Sequence, residues 1–209
     1  PDFLTLASRK FPELRTFAAA GWPPLIDPRD VGPVIATRAN DQENGKHSIF
    51  VRDGETNGYE TVDVEVAHET VKTIHESGPD LSLVYFCGAD EAGHQHGTIE
   101  GKYFEAIERI DRLVEMLRQA ILNRCEKMNE KWLIVITTDH GHRDEGGHDA
   151  GREVPRHVVA NPREGVSGKV GDGVRWLALV DHRPAFLRDV DLHIPRTALN
   201  ENIAEGKHE

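Results

Sequence analysis

Five acidic and histidine side chains in this sequence are of the types that bind divalent metal ions. They are Asp90, His94, Asp139, His140 and His148. Carboxylate oxygens and imidazole nitrogens suit zinc, and they also accept manganese or iron. One Asp-x-x-x-His or Asp-His-Gly segment alone is a weak signal, because Asp and Gly are ordinary turn residues. Two such pairs, followed by a third histidine in a glycine-rich segment, predict a metal site.

Each acid–histidine pair comes soon after a short apolar run of the kind that fills a buried strand. The runs are residues 81–86 (LSLVYF) and 132–138 (WLIVITT). Between them, apolar side chains spaced by three and four across residues 103–121 predict an amphipathic helix. This βαβ pattern predicts parallel strands that are neighbours or near-neighbours, with Asp90 and His94 in a loop beyond the first. Because ligands bind beyond the carboxyl ends of such strands, both pairs should open into one crevice.

The rest of the chain fits an α/β domain with a mainly parallel sheet flanked by helices. Residues 8–20 have the pattern of a helix that stops at Gly21. A second helical pattern begins near Asp63 and closes at Gly78. Further short strands are predicted at residues 33–36, 48–51, 61–66, 156–160 and 176–180.

Length and composition favour one acidic domain. The 209 residues are enough for one α/β domain and too few for two of ordinary size. A formal net charge of -11 disfavours binding to nucleic-acid polymers or anionic membranes, because both repel it at long range. No apolar run approaches the roughly 20 residues that cross a bilayer. Two cysteines give neither a disulfide framework nor a thiol metal cage. Localisation and oligomeric state do not follow from the sequence.

Several other polar side chains near these motifs are weaker candidates for contact with a substrate. A solvated or hydrogen-bonded role is favoured for each of them, because loop histidines and arginines are usually solvated. They are His96, His142, His157, Arg143, Arg152 and Arg156. For Asp111, which lies off the apolar stripe of its helix, a surface or capping role is favoured.

The order of the motifs resembles that of the alkaline phosphatase superfamily, most closely its type I phosphodiesterase/nucleotide pyrophosphatase branch. The motifs are Asp90-x-x-Gly93-His94, Thr138-Asp139-His140-Gly141 and Gly147-His148. The likeness continues in residues 3–25, 103–111 and 176–195. The resemblance implies that residues 1–209 are a single, partial catalytic domain, with metal motifs at 90–148 and a closing segment at 176–195.

The resemblance implies two divalent metal ions. Zinc is the expected metal, and manganese or iron are the alternatives. Asp90, His94 and His148 would hold one ion, while Asp139 and His140 would hold the other. The family's second ion also needs an aspartate and a Ser or Thr nucleophile, and both are expected before Pro1. We therefore expect this chain alone to be inactive. Glycine often follows the last histidine in the family, where this sequence has Asp149.

The resemblance also implies an activity on small phosphate esters. Two cations about 3.5–4 Å apart can clamp the attacking and leaving oxygens of an in-line displacement. A covalent phospho-enzyme would form and then be hydrolysed. Hydrolysis of phosphodiester or pyrophosphate bonds is the leading expectation. The alternatives are a sulfatase, phosphomonoesterase or phosphomutase of the same superfamily, or a catalytically inactive binding relative.

Overall fold

The structure is a computed structural model that describes residues 2–27, 32–99, 101–138, 140–146, 148–149, 158–160 and 174–180. In chain order the helices are α1 (Phe3–Lys10), α2 (Pro23–Ile26), α3 (Ala39–Glu43), α4 (Gly54–Asn57), α5 (Tyr59–Glu76), α6 (Gly88–His96) and α7 (Gly101–Met128). The strands are β1 (Thr16–Ala20), β2 (His47–Val51), β3 (Leu81–Tyr85), β4 (Lys131–Thr137), β5 (Gly141–His142), β6 (His148–Asp149), β7 (Val158–Ala160) and β8 (Val174–Val180).

Six strands form one sheet in the order β2-β1-β3-β8-β4-β7. The first five are parallel, and β7 pairs antiparallel with β4 at the edge. The predicted α/β fold with a mainly parallel sheet is confirmed. The strands β3 and β4, predicted from the two apolar runs, are near-neighbours, since β8 lies between them. Their carboxyl ends therefore face the same edge of the sheet.

Helices cover both faces of the sheet, which explains why every residue of β1 and β3 is buried. Helices α5 and α7 pack on one face, where Val66, Ile110 and Leu117 are among the fully buried side chains. Helix α1 lies on the other face and buries Leu4. Each buried aliphatic side chain of this size contributes about 1.5–3 kcal/mol to folding. Among the described residues no helix is both long and apolar enough to span a membrane.

Three predictions about local structure in the first 70 residues are wrong. Residues 8–20 are not one helix, because α1 ends at Lys10 and residues 16–20 form β1. The alanines of this segment favour a helix locally, but the segment is buried on both faces and pairs with parallel strands on both sides. Residues 61–66 lie inside α5, where Val62 and Val66 occupy one buried face. Residues 33–36 form no strand.

A buried charged network fastens the edge of the sheet opposite the carboxyl ends of the strands. Arg124 of α7 donates to the backbone carbonyls of Ile74 (2.8 Å) and His75 (3.0 Å) near the end of α5. Its guanidinium also pairs with Glu130 at Oε2 (2.7 Å). Glu130 in turn accepts from Trp132 Nε1 at 2.9 Å. One arginine thus ties the end of α5 to the segment that leads into β4.

Candidate metal centre

Helix α6 carries Asp90 and His94, and it begins just beyond the carboxyl end of β3. The prediction that these two residues lie in a loop is wrong. The spacing of four puts both side chains on one face of the helix. The start of α6 is held by the buried carboxylate of Asp63 from α5, which accepts from the backbone N–H groups of Cys87 (3.1 Å) and Gly88 (2.7 Å). Those donors belong to the first turn of the helix, where no intrahelical acceptor exists.

Three imidazoles converge on one oxygen of Asp90. Its Oδ1 lies 2.9 Å from Nε2 of His142, 3.6 Å from Nε2 of His94 and 3.8 Å from Nε2 of His140. Asp90 and His94 arrive on α6, after β3, whereas His140 and His142 arrive on the segment that follows β4. The carboxyl ends of two parallel strands thus bring these four side chains to one place, as ligand sites of open parallel sheets require.

His142 is the most enclosed member of this cluster, with 0% of its side chain exposed. Its ring meets the rings of His94 (5.0 Å between centroids), His140 (5.3 Å) and Tyr103 (6.0 Å) edge to face. Gly93 makes room for it, because a Cβ atom at that position would lie 2.8 Å from the imidazole. The absence of a side chain at position 93 is therefore what lets the ring rest against α6.

The loop that carries His142 is anchored to the end of α6 by two further contacts. Gly97 has φ of +67°, and a Cβ atom there would lie 2.1 Å from the backbone oxygen of Asp144. Thr98 Oγ1 donates to Asp144 Oδ1 at 2.8 Å. Only glycine combines this left-handed conformation with so close an approach. Gly93 and Gly97, one turn apart, form the surface on which the loop packs.

The other residues predicted for the site are placed only in part. His148 lies in β6, and its backbone pairs with that of His142 in the two-stranded sheet β5–β6. Asp139 lies outside the described residues, as do three of the weaker candidates, His157, Arg152 and Arg156. The structure therefore brings together Asp90, His94 and His140 of the five predicted ligands, and it adds His142.

Besides His142, the structure describes three of the weaker candidates, His96, Arg143 and Asp111. His96 borders a cleft of about 560 Å³ on the side of α6 that also carries Glu91 and Gln95. Arg143 and Asp111 are exposed. The solvated or surface role favoured for these three residues stays a prediction.

The chemistry of the clustered side chains fits a divalent metal ion. Within the described part of the chain, one group of three acidic or histidine residues has all its ligand atoms within 4.8 Å of one another, namely Asp90, His94 and His142. Ligands about 2.0–2.2 Å from zinc in a tetrahedral shell are about 3.3–3.6 Å apart. The separation of 3.6 Å between Asp90 Oδ1 and His94 Nε2 already matches that spacing.

The sequence interpretation missed His142 as a member of the cluster. It favoured a solvated or hydrogen-bonded histidine, although the side chain is fully buried beside Asp90. One signal was present: His140 and His142 are two residues apart at the start of an extended segment, and residues i and i+2 of extended backbone share a side. A ligand at position 140 therefore predicts that position 142 faces the same way.

Comparison with known proteins gives a family match and several distant relatives. The model of the type I phosphodiesterase / nucleotide pyrophosphatase family matches residues 8–158. The catalytic subunit of human GPI ethanolamine phosphate transferase 3 is 24% identical over 95 residues, which are 46% of this chain and 8% of that protein. GPI ethanolamine phosphate transferase 1 of Yarrowia lipolytica is 28% identical over 92 residues, 44% of this chain and 10% of that protein. The matched stretch thus spans a tenth or less of these relatives. No solved structure gives a significant match.

Proposed function

This chain belongs to the type I phosphodiesterase / nucleotide pyrophosphatase family, whose members act on phosphoric esters, and from that premise we propose a divalent-metal-dependent hydrolase of phosphodiester or pyrophosphate bonds. The observation that carries the proposal is the convergence of His94, His140 and His142 on Oδ1 of Asp90. The cluster lies beyond the carboxyl ends of β3 and β4, where an open parallel sheet binds its ligands.

The proposed ligands follow the motifs of the family. Asp90 and His94 hold one metal ion together with His148, whose backbone pairs with that of His142. Asp139 and His140 contribute to the second ion, and His140 Nε2 lies 3.8 Å from Asp90 Oδ1. That short separation supports two adjacent ions rather than two distant ones. The nucleophile, a Ser or Thr in the family, is proposed to come from outside these residues.

The clustered side chains suit phosphoryl chemistry for an electrostatic reason. A bound divalent ion supplies Lewis acidity and neutralises charge that develops on the phosphoryl oxygens. Asp90 offsets part of the cation's charge, while neutral imidazoles leave the rest available to an anionic substrate. This local positive site can attract one phosphate group although the chain as a whole carries a formal charge of -11.

A related activity, transfer of the phosphoryl-containing group to an alcohol, is the second candidate. It is favoured by the similarity to proteins named GPI ethanolamine phosphate transferases. Hydrolysis and transfer share the first step and differ in whether water or an alcohol accepts the group. Product analysis in the presence of a simple alcohol such as ethanolamine separates them. Both activities release the leaving alcohol of the substrate, but a transferase yields a new diester with ethanolamine, whereas a hydrolase yields the phosphate monoester.

The test of the proposal is a hydrolysis assay on the longest gene product that contains this chain. Bis(p-nitrophenyl) phosphate is supplied with Zn²⁺ or Mn²⁺, and EDTA is added to a parallel sample. We expect EDTA and Asp90→Asn each to lower kcat/KM by at least about 100-fold, since both remove a metal or its anionic ligand. The matched control is Glu126→Gln on the exposed face of α7, which should leave kcat/KM unchanged. Turnover that survives both chelation and Asp90→Asn would refute a metal-dependent mechanism.

A further inference from the structure

We propose that His142 is itself a ligand, through Nε2, of the metal ion held by Asp90 and His94. This inference rests on the proposed function, and it adds a residue that the motifs of the family do not supply. The three motifs assign Asp90, His94 and His148 to that ion, and none of them includes position 142. The geometry of the described residues places His142 beside Asp90 and His94, as a further side chain of the group.

The distances among the side chains of Asp90, His94 and His142 are the first argument for a shared ion. Nε2 of His142 lies 2.9 Å from Oδ1 of Asp90, and the ligand atoms of Asp90, His94 and His142 all lie within 4.8 Å of one another. A tetrahedral zinc shell separates its ligand atoms by about 3.3–3.6 Å. Moving Nε2 away from Oδ1 by about 0.4 Å reaches that range, which a small rotation of the Asp90 carboxylate provides. The pair Asp90–His94 already has this spacing, and the pair Asp90–His142 reaches it after that small shift.

The surroundings of the His142 ring are the second argument, because they hold the ring in place. A solvent-exposed histidine would lose side-chain entropy on binding a metal, but the ring of His142 is already enclosed by His94, His140 and Tyr103. Gly93 leaves space on α6 for that ring, since a Cβ atom at this position would lie 2.8 Å from it. The ligand atom is therefore fixed beside Asp90 before any ion arrives, which is what a preorganised metal site requires.

The competing explanation is that His142 donates a hydrogen bond to Asp90 and acts only through it. Histidine–carboxylate pairs of this kind orient metal ligands in many proteins. A partner of that type lies behind the carboxylate, away from the other ligands. Here Nε2 of His142 approaches the same oxygen, Oδ1, that His94 and His140 also approach. The ring thus stands among the imidazoles rather than behind the carboxylate, which favours a direct ligand.

The test uses Co²⁺ in place of the native ion, because a paramagnetic ion identifies the imidazoles bound to it. Each coordinated histidine with a ring N–H gives one strongly shifted exchangeable proton signal in the NMR spectrum. The signals are counted at saturating Co²⁺ in the wild-type protein and in His142→Gln, which keeps a donor toward Asp90. The matched control is His96→Gln. His96 lies on α6, as Asp90 and His94 do, but it lines the separate cleft. Affinity is measured in parallel by competition with a chromophoric chelator.

We expect His142→Gln to lose one shifted signal and His96→Gln to lose none. Failure of the Asp90 centre to bind Co²⁺ at all in a folded His142→Gln protein also supports the inference, since loss of a hydrogen-bonding partner weakens metal binding by only about 10–100-fold. An unchanged number of signals, with affinity lowered by no more than that factor, would overturn it. The readout does not require turnover. If the longest gene product shows the His142 signal but neither hydrolyses nor transfers the phosphoryl group, the proposed function is rejected and this inference stands.

Discussion

Asp63 and Gly88 are joined by a hydrogen bond of 2.7 Å, from the backbone N–H of Gly88 to a carboxylate oxygen that is almost completely buried. The other oxygen of Asp63 accepts from Cys87. A buried acidic side chain of α5 thus caps the start of α6 at Gly88, two residues before Asp90. The sheet positions the start of α6, and Asp63 fixes its backbone there.

We expect Asp63→Asn to lower both the stability of the protein and its metal affinity. The amide retains one acceptor oxygen but turns an N–H₂ group toward a backbone donor, so one buried N–H loses its partner at a cost of about 1–3 kcal/mol. Urea denaturation measures the loss, and a Co²⁺ titration measures the effect on Asp90 and His94. Asp111→Asn on the exposed face of α7 is the control. Equal behaviour of the two variants would remove Asp63 from the account of how α6 is held.

Gly93→Ala should weaken metal binding without unfolding the protein. The new Cβ atom would lie 2.8 Å from the ring of His142, which must then move away from α6. Alanine favours a helix over glycine by about 1 kcal/mol, so stability should change little. We expect Co²⁺ affinity to fall by at least about 10-fold in a chelator competition. Gly101→Ala is the control, since its Cβ atom would meet nothing within 4 Å. Wild-type affinity in Gly93→Ala would contradict the packing described here.

The stability of the protein should fall as the pH falls from about 6.5 to about 4, because of His47. Burial, reinforced by the positive charge of Arg38, lowers the pKa of His47 to about 4. Thr16 Oγ1 contacts its Nδ1 at 2.8 Å, and the charges of Asp2 and Asp41 oppose the shift only in part. In the unfolded chain, histidine takes up a proton near pH 6.5. The unfolded state therefore binds more protons across this interval, which favours unfolding as acid is added.

The size of that effect is at most about 3.4 kcal/mol, since the pKa of His47 falls from 6.5 to about 4 and one pKa unit corresponds to about 1.4 kcal/mol. Urea denaturation at a series of pH values measures the slope. His47→Gln serves as the reference, because it cannot titrate, and the difference between the two curves isolates His47 from the other histidines. A difference that stays constant between pH 7 and pH 4 would show that burial does not suppress protonation of this ring.

Arg124→Ala should destabilise the protein far more than Arg118→Ala, although both arginines pair with a glutamate. Arg124 is buried and serves Glu130 together with the carbonyls of Ile74 and His75. Removing one partner of a buried pair costs about 3–5 kcal/mol. Arg118 pairs with Glu115 on the exposed surface, where such a pair contributes about 0–1 kcal/mol. Chemical denaturation of both variants decides the point. A similar loss in both would mean that the network of Arg124 is not structural.

The part of the fold that sequence pattern predicts well is the part with long, regular periodicity. The stripe from Tyr103 to Ile121 predicted the interior of α7, and two apolar runs predicted β3 and β4. The sequence pattern wrongly predicted a helix where β1 lies. The preference of Ala18–Ala20 for a helix is a local property, whereas their position between β2 and β3 depends on the whole sheet. No local pattern could place β8 between β3 and β4, since that pairing joins segments distant in the chain.

The residues of the candidate site also differ in whether local sequence or packing between distant segments determines their role. Motif order and residue type led to Asp90, His94 and His140, whose side chains meet in the structure. His142 was missed because its role depends on Gly93, a residue 49 positions earlier, leaving space for its ring. Asp63 was missed for a related reason: an acidic residue between Val62 and Val66 resembles a solvent-facing position until α6 is packed against it.

The position of β8 also sets the order in which the molecule can be assembled during translation. Strand β3 has β1 as a neighbour and β4 has β7, but β3 and β4 are bridged only by β8, the last described strand to be synthesised. At about 5–20 residues per second, roughly 2–7 s separate the emergence of Thr137 from that of Val174. Only after that interval can β8 pair with both strands and join through the sheet the segments that lead to Asp90 and His140.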